Sequence, residues 1–442
     1  MVIVPENQQQ MDSQIDISDK PMSPYQKLMV AICFILNFND GIDVLLVSFC
    51  GPEIIKLWGL SKSEMGYIFS AGLAGMTLGC FLIAPLADSI GRRKVFLYSI
   101  AMISFGMFGV GLINDYGYML FFRFITGLGI GGILPTMTAT AAEFSNKKYR
   151  DFNVGLVQAG WPIGAIITGL LCAHFIPIYG WQVTFLVAGC ISLFMFCLVF
   201  FFLTDSLEFM LNTPNKTNLT KVNKLLGHLQ LTPIKELRTA PTIKDKTGVK
   251  ILFSTYYKSN TIKIWIAAFF GFMTLYTLMS WVPNIAKESG MAFEMATYVG
   301  IVLNIGAAAG SASVGAFGSK YGMRQTVLTF MIVAFIVMQL YAWIIPTTLM
   351  VFILILFIGY FVQGGFNGIW PTLSRLYTSK IRTTGVGYTV GIGRLGAVLG
   401  PWLFGFLSDK GCGMQTLFII FSLPLLIMGV AIWSLDSKEL KN

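Results

Sequence analysis

Charge is what this sequence is short of. Only 12% of its 442 residues are Asp, Glu, Lys or Arg, against 55% apolar residues and a mean hydropathy of +0.71. Soluble domains carry roughly 25% charged residues, so the deficit excludes a water-soluble globular fold and implies an integral membrane protein. Histidine is scarcer still, with two in the chain. No His-rich, Ser/His or metal-ligand cluster stands out, which speaks against an enzyme and against a resident metal or cofactor. The seven cysteines (Cys33, Cys50, Cys80, Cys172, Cys190, Cys197 and Cys412) form no C-x-x-C pair and mostly sit in apolar stretches, where they read as small core residues. No cleavable signal peptide is visible: the first 27 residues are polar and acid-containing and read as a disordered tail. A net charge of +10 would suit a nucleic-acid partner, but the basic residues lie in short clusters between apolar runs. That is a topological pattern, and nucleic acid is excluded as a partner.

What the chain has instead is apolar length. Mainly apolar segments recur near 28–49, 64–86, 95–113, 118–142, 153–175 and 183–203, then near 262–283, 296–317, 326–345, 350–373, 385–407 and 415–435. Each can cross a hydrocarbon core of roughly 30 Å. The expected organisation is a tail (1–27), a six-helix half (28–203), a polar central loop (204–261), a second six-helix half (262–435) and a short tail (436–442). The central stretch holds nine Lys/Arg against four Asp/Glu, and "GRRK" (91–94), "NKKYR" (146–150), "SKYGMR" (319–324) and "SKIR" (379–382) fall on its side. Opposite loops hold Lys56, Lys62, Lys287 and Lys410. The excess of basic residues places both termini and the central loop in the cytoplasm. Short extramembrane loops suit a bacterial inner membrane, and a monomer is expected.

The halves also repeat. "PLADSIGRRKV" (85–95) aligns with "AFGSKYGMRQTV" (316–327), matching Gly91 to Gly322 and Arg93 to Arg324. The stretch 143–169 aligns with 376–402. Two six-helix halves related by a repeat are a transporter architecture, with the site near the midplane between them.

Charged residues inside spans are expensive, so each marks an ion or substrate path. In "NFNDGIDVLL" (37–46), Asp40 and Asp43 sit one helical turn apart, roughly 20–24 Å from the cytoplasmic edge. On a helical wheel they share one wet face with Asn37 and Asn39. Arg123, in "RFITGLGIGGILP" (123–135), lies about 8 Å below the outer edge, nearly the same depth. It is a partner for the aspartates, unless it snorkels to the outer surface. Arg394, in "GIGRLGAVLGP" (391–401), lies roughly 18 Å deep with no acid nearby in its own helix. It reads as a cation awaiting an anionic substrate, or as the partner of an acid on another helix. Gln158, Trp161, Tyr276, Trp281, Gln363, Asn367 and Trp370 are polar or aromatic candidates to line the cavity.

Two further patterns need sorting. Gly127, Gly129 and Gly132 spell G-x-G-x-x-G, but inside a membrane span rather than a strand–helix turn, so no dinucleotide site is implied. Gly127 and Gly131 instead make a G-x-x-x-G packing face. "APLADSIGRRKV" (84–95) resembles the signature loop of the major facilitator superfamily. The resemblance implies that Asp88, Gly91, Arg92 and Arg93 belong to a cytoplasmic latch between the halves, with Ala84 and Ser89 departing from the family pattern. Glu143, Arg150 and Arg382 flank neighbouring loops and are expected to join that charge network. Nothing is drawn from "TDSLEFML" (204–211).

The superfamily resemblance covers all twelve spans and implies an all-α fold of two pseudo-symmetric halves, a major facilitator fold. "DGID" and "GIGRLG" are similar to the aromatic acid:proton symporter branch. The resulting expectation is a secondary transporter that imports a small organic, aromatic carboxylic acid with protons by alternating access, with no cofactor beyond the proton gradient. Asp40, Asp43 and Arg123 are assigned to proton coupling and Arg394 to the substrate. The alternatives are a carrier for sugars or other small organic ions, an exporter, or a non-transporting membrane sensor.

Overall fold

A computed structural model describes residues 17, 20–212, 219–234, 249–254, 256–343, 347–377 and 379–435. The tails 1–16 and 436–442 and much of the central loop lie outside them. Among the described residues, twelve helices are long and apolar enough to cross a membrane. They are α1 (Pro24–Trp58), α2 (Lys62–Leu82), α3 (Arg92–Leu112), α4 (Tyr116–Glu143), α5 (Arg150–Tyr179) and α6 (Trp181–Phe202), then α7 (Lys258–Glu288), α8 (Phe293–Tyr321), α9 (Met323–Trp343), α10 (Thr348–Asn367), α11 (Ser379–Asp409) and α12 (Met414–Trp433).

With 20 to 35 residues each, these helices run about 30 to 52 Å and most outreach the hydrocarbon core. Their polar ends therefore need caps of their own. Ser23 and Gln26 form a reciprocal capping box at the start of α1, and Ser61 and Glu64 form another at the start of α2. The tenth apolar run, expected as one piece over 350–373, is divided: α10 ends at Asn367, and a separate helix, Ile369–Leu376, follows Gly368. The loop expected at 87–94 is also more ordered, with a 3-10 turn (Ala84–Leu86) and a helical turn (Ala87–Ile90) ahead of Gly91.

The two sets of six helices pack by one rule. In the first, α1 lies on α5, α2 on α4 and α3 on α6; in the second, α7 lies on α11, α8 on α10 and α9 on α12. Lipid gives apolar faces no hydrophobic drive to associate, so close backbone approach at small residues carries the packing. Side chains at Gly127 and Gly131 of α4 would collide with the Gly72 and Met76 carbonyls of α2. In the corresponding pair, Gly306 and Gly310 of α8 meet the Leu356 and Tyr360 carbonyls of α10. Between the halves, α2 lies on α11, α5 on α8 and α1 on α7.

The repeat extends to loop detail. Gly91 and Gly322 both turn the chain with positive φ, 100° and 88°. Two residues later, Arg93 donates to the Phe200 carbonyl at the end of α6, and Arg324 donates to the Trp433 carbonyl at the end of α12. Each arginine thus satisfies a helix-end carbonyl that has no donor within its own helix.

Candidate functional site

The polar stretch of α1 is buried on every side. Asn37, Asn39, Asp40 and Asp43 are each less than 5% exposed. They do not share one wet face, as the helical wheel implies; they look to three neighbours. Asn37 donates to the Val157 carbonyl of α5 at 2.7 Å. Asn39 donates to Asp43 Oδ2 and to Ser192 Oγ of α6, each at 3.1 Å. Asp40 alone turns toward the second half. The glycine between the aspartates is structural: a side chain at Gly41 would strike the Trp161 carbonyl, so Gly41 lets α5 lie against the acid-bearing turn.

Arg123 does not snorkel. It is 4% exposed, its Nη1 donates to the Asp43 backbone carbonyl at 3.2 Å, and its guanidinium lies over Gly72, where a Cβ would sit 3.1 Å from Nη2. The Asp43 carboxylate is within its electrostatic reach. Arg394, expected to have no acid on its own helix, has one across the interface: Asp40 is its Coulombic neighbour, and Tyr276 is another. The four charges therefore sort into two couples, Asp43 with Arg123 inside the first half and Asp40 with Arg394 between halves. Several polar atoms in this region are buried without a protein partner: both Asp40 oxygens, Asp43 Oδ1, Arg123 Nε, and Arg394 Nε and Nη1. Unpaired buried charge of this kind needs water, ion or substrate to complete it.

The cavity candidates divide. Tyr276 stands between the couples. Gln363 donates to Asn367 at 3.3 Å, with its own Oε1 unpartnered, and Asn367 donates to Ser311 at 2.7 Å, so these form a polar strip on α8 and α10. Gln158 donates to Thr138 at 3.1 Å and is exposed. Trp161 contributes its carbonyl to the α1–α5 contact, and Trp370 meets Phe366 edge-on. Trp281 corrects the expectation. It is buried, its indole donates to the Pro401 carbonyl at 2.9 Å, and its ring packs on Phe69 and Phe404. It is a packing residue at one end of the bundle.

That end is where the halves are joined. Among the described residues, Ser48 donates to the Met279 and Ser280 carbonyls at 2.7 and 2.8 Å, and Ser70 donates to the Val398 carbonyl at 2.6 Å. Pro283 has no N–H, so the Met279 carbonyl four residues earlier lacks a helical donor; Ser48 supplies one from the other half. Val398 lies in the turn before Pro401, beside the Ala397 carbonyl that the proline leaves without a helical donor. Asp409 accepts from the backbone N–H groups of Lys62 and Ser63 at 3.0 and 2.7 Å, and Lys62 pairs with Glu288 at 2.7 Å.

The opposite, arginine-rich end has bonds of another kind. Arg92 pairs with Glu143 at 2.8 Å, linking α3 to α4. The Arg93 N–H donates to Asp205 Oδ1 at 2.9 Å, and the Asp205 carboxylate occupies the space where a side chain at Gly91 would stand. Burial raises the Asp205 pKa above the usual carboxylate value, against the lowering effects of the Arg93 N–H bond and the Arg93, Lys94 and Arg92 charges. Arg150 opens α5 and is exposed. The side chains of Asp88 and Arg382 lie outside the described residues. Sequence reasoning passed over Asp205, Ser192, Ser48, Ser70 and Asp409. The signals were there for three of them: an acid in the short string after α6, and prolines inside α7 and α11.

Two repeated six-helix units with charges buried at their interface are the architecture of a membrane transporter. The chain belongs to the Major Facilitator Superfamily, whose family model matches residues 32–374 and 264–441. It is 29% identical to the 4-hydroxybenzoate transporter PcaK of Acinetobacter baylyi over 96% of this chain and 94% of that protein. It is 27% identical to the gallate transporter of Pseudomonas putida, over 95% of each chain. The fold matches the xylose transporter XylE from E. coli in a partially occluded inward-open conformation, with a TM-score of 0.73, 14% identity, and coverage of 93% of this chain and 98% of that one. The protein is a multi-pass membrane transporter of this superfamily and not an enzyme.

Proposed function

We propose that this transporter imports a small aromatic carboxylate together with one proton, with the arginine-rich end and both termini in the cytoplasm. The observation that carries the reading is the Asp40–Arg394 couple, which spans the halves and leaves both carboxylate oxygens and two guanidinium nitrogens without partners. Relatives that transport 4-hydroxybenzoate and gallate support the substrate class.

Charge balance supplies the mechanism. In the empty site, Asp40 and Arg394 neutralise one another. An incoming carboxylate forms a forked pair with the guanidinium and displaces Asp40. An unpaired carboxylate in a dry site takes a proton rather than keep its charge. Loaded with anion and proton, the site again sums to zero, so the empty and the fully loaded forms can both reorient. With the anion alone it carries one uncompensated buried charge, and reorientation is disfavoured. Asp43 and Arg123 stay neutral as a pair, with Asn39 and Ser192 fixing the carboxylate.

The test is uptake into proteoliposomes of labelled 4-hydroxybenzoate, an aliphatic acid and a sugar, with protein-free liposomes correcting for passive acid entry. Expected is accumulation of the aromatic acid that follows the pH gradient and is indifferent to an imposed membrane potential. Accumulation of the sugar alone overturns the reading. So does acid uptake driven by potential without a pH gradient.

A further inference from the structure

One buried amide takes no part in the bonds that join the halves, although it stands among them. Asn284 follows Pro283 on α7 and is 2% exposed. Among the described residues, neither its Nδ2 nor its Oδ1 has a hydrogen-bond partner. The amide faces the other half: a Cβ at Gly51 of α1 would stand 2.7 Å from Asn284 Nδ2 and 3.2 Å from Oδ1. Gly51 thus makes room for the amide without bonding it.

The repeat explains the setting. Ser48 and Met279 are 231 residues apart, and Pro52 and Pro283 stand at the same spacing. Helices α1 and α7 therefore meet at corresponding points of the two halves, each short of one helical bond. Ser48 makes good the loss on α7 by donating to the Met279 carbonyl at 2.7 Å. The reverse bond is missing, because methionine has no hydrogen to donate, while Pro52 leaves the Ser48 carbonyl without a helical donor. Closing this end strips the Asn284 amide of water and gives it no partner. Stranding a buried polar group changes an equilibrium constant by about five- to 150-fold. The Ser48 and Ser70 bonds act the other way, each by about fivefold. When the halves part here, water reaches both amide atoms and the penalty disappears.

We infer that Asn284 is an opening device built into this end: its unmatched amide offsets the serine bonds and keeps the closed form shallow enough to reopen. An apolar residue in its place makes a tighter gate. The inference concerns the gate alone and holds whatever the substrate and the coupling ion are.

The experiment follows distances between spin labels in the 59–61 and 410–413 loops of the full-length protein in lipid. Asn284→Val removes both amide atoms and adds no length. Expected is a fall of at least about fivefold in the ratio of open to closed populations at this end. Asn284→Ala removes the same atoms but leaves space unfilled, so its shift has the same direction and a smaller size. Ser48→Ala raises the open population, and adding Asn284→Val to it returns the ratio toward the wild-type value. That background keeps the fall measurable even where wild type is almost wholly closed. A rise of the ratio in Asn284→Val shows that the amide holds the halves together and overturns the inference. Unchanged populations in both backgrounds overturn it as well. So does a closing shift in Asn284→Val beside an opening shift in Asn284→Ala, which makes volume and not polarity the cause.

Discussion

The two ends of the bundle are tied by different chemistry. At one end, neutral serines and a backbone-capping aspartate join the halves through hydrogen bonds, one of them to the Met279 carbonyl that Pro283 leaves without a helical donor. At the other, the described charges are spent inside the first half: Arg92 on Glu143, and Arg93 on Phe200 and Asp205. The difference teaches what rocking has to break. Separating the first end strands no buried ion, because each bond is worth about 1 kcal/mol net and water can replace it. Among the described residues, the Arg92–Glu143 pair at the arginine end joins helices of one half and travels with it. A gate built from single hydrogen bonds and a solvent-reached ion pair suits a protein that must open and close repeatedly at little energetic cost.

The hardest way to break the comparison is steric. Gly405 of α11 lies so close to the Lys62 carbonyl of α2 that a Cβ cannot fit. Gly405→Val should keep this end from closing, with an overpacking penalty of about 1–3 kcal/mol, which is roughly a 5- to 150-fold shift in the equilibrium between states. Distances between spin labels in the 59–61 and 410–413 loops should lengthen, and net uptake should fall at least tenfold. Unchanged distances would mean that this contact does not set the state.

Next in size are the serines. Ser48→Ala and Ser70→Ala should each cost the closed end about 1 kcal/mol, near fivefold, and together they should approach the glycine variant. The expected label-distance change is in the same direction and graded. Pro283→Ala gives the Met279 carbonyl back its helical donor, and Ser48→Ala should then matter less. If it matters as much as before, the proline is not what makes the serine useful. Smaller again is the Lys62–Glu288 pair, which is about one third exposed on both sides. Glu288→Gln should shift the equilibrium by less than about 1 kcal/mol, and added salt should erase the difference from wild type.

The contrast between ends also marks how far the sequence could be read. The twelve spans were legible because hydropathy is a bulk property, and the buried charges because each is an energetic anomaly in lipid. Gly127 and Gly131 announced their packing by spacing, and Arg93 and Arg324 by repeating. The depth argument brought Arg123 to Asp43, but it left Arg394 without an acid, since no spacing rule says which helix of the other half will face it. The closing end was illegible for a plainer reason. Ser48 and Ser70 are inexpensive in a membrane helix, and their acceptors are backbone carbonyls that any residue would supply. Trp281 was misread for the same lack of a partner signal: an aromatic inside a span looks alike whether it lines a cavity or seals an interface. Asp205 went unread because its meaning depends on Gly91, more than a hundred residues away.

Asp205 offers the mildest prediction and the one that isolates the arginine end. Burial raises its carboxyl pKa above the usual value despite the arginines around it. An acid whose folded pKa is raised contributes stability that is complete below its unfolded pKa and is lost as pH climbs through the folded value. The charged form is thus the strained one, and near neutral pH the fold gains nothing from it. Asp205→Asn keeps an oxygen to accept the Arg93 N–H and removes the titration. Thermal unfolding in detergent, followed from pH 4 to pH 8, should show wild type ahead of the variant at the acid end. That lead should shrink steadily as pH rises, while label distances at the closing end stay the same. A constant difference across the range would mean that burial does not govern this carboxylate. A change at the far end would mean that the two ends are not independent, and that the corner around Gly91 reports on the gate.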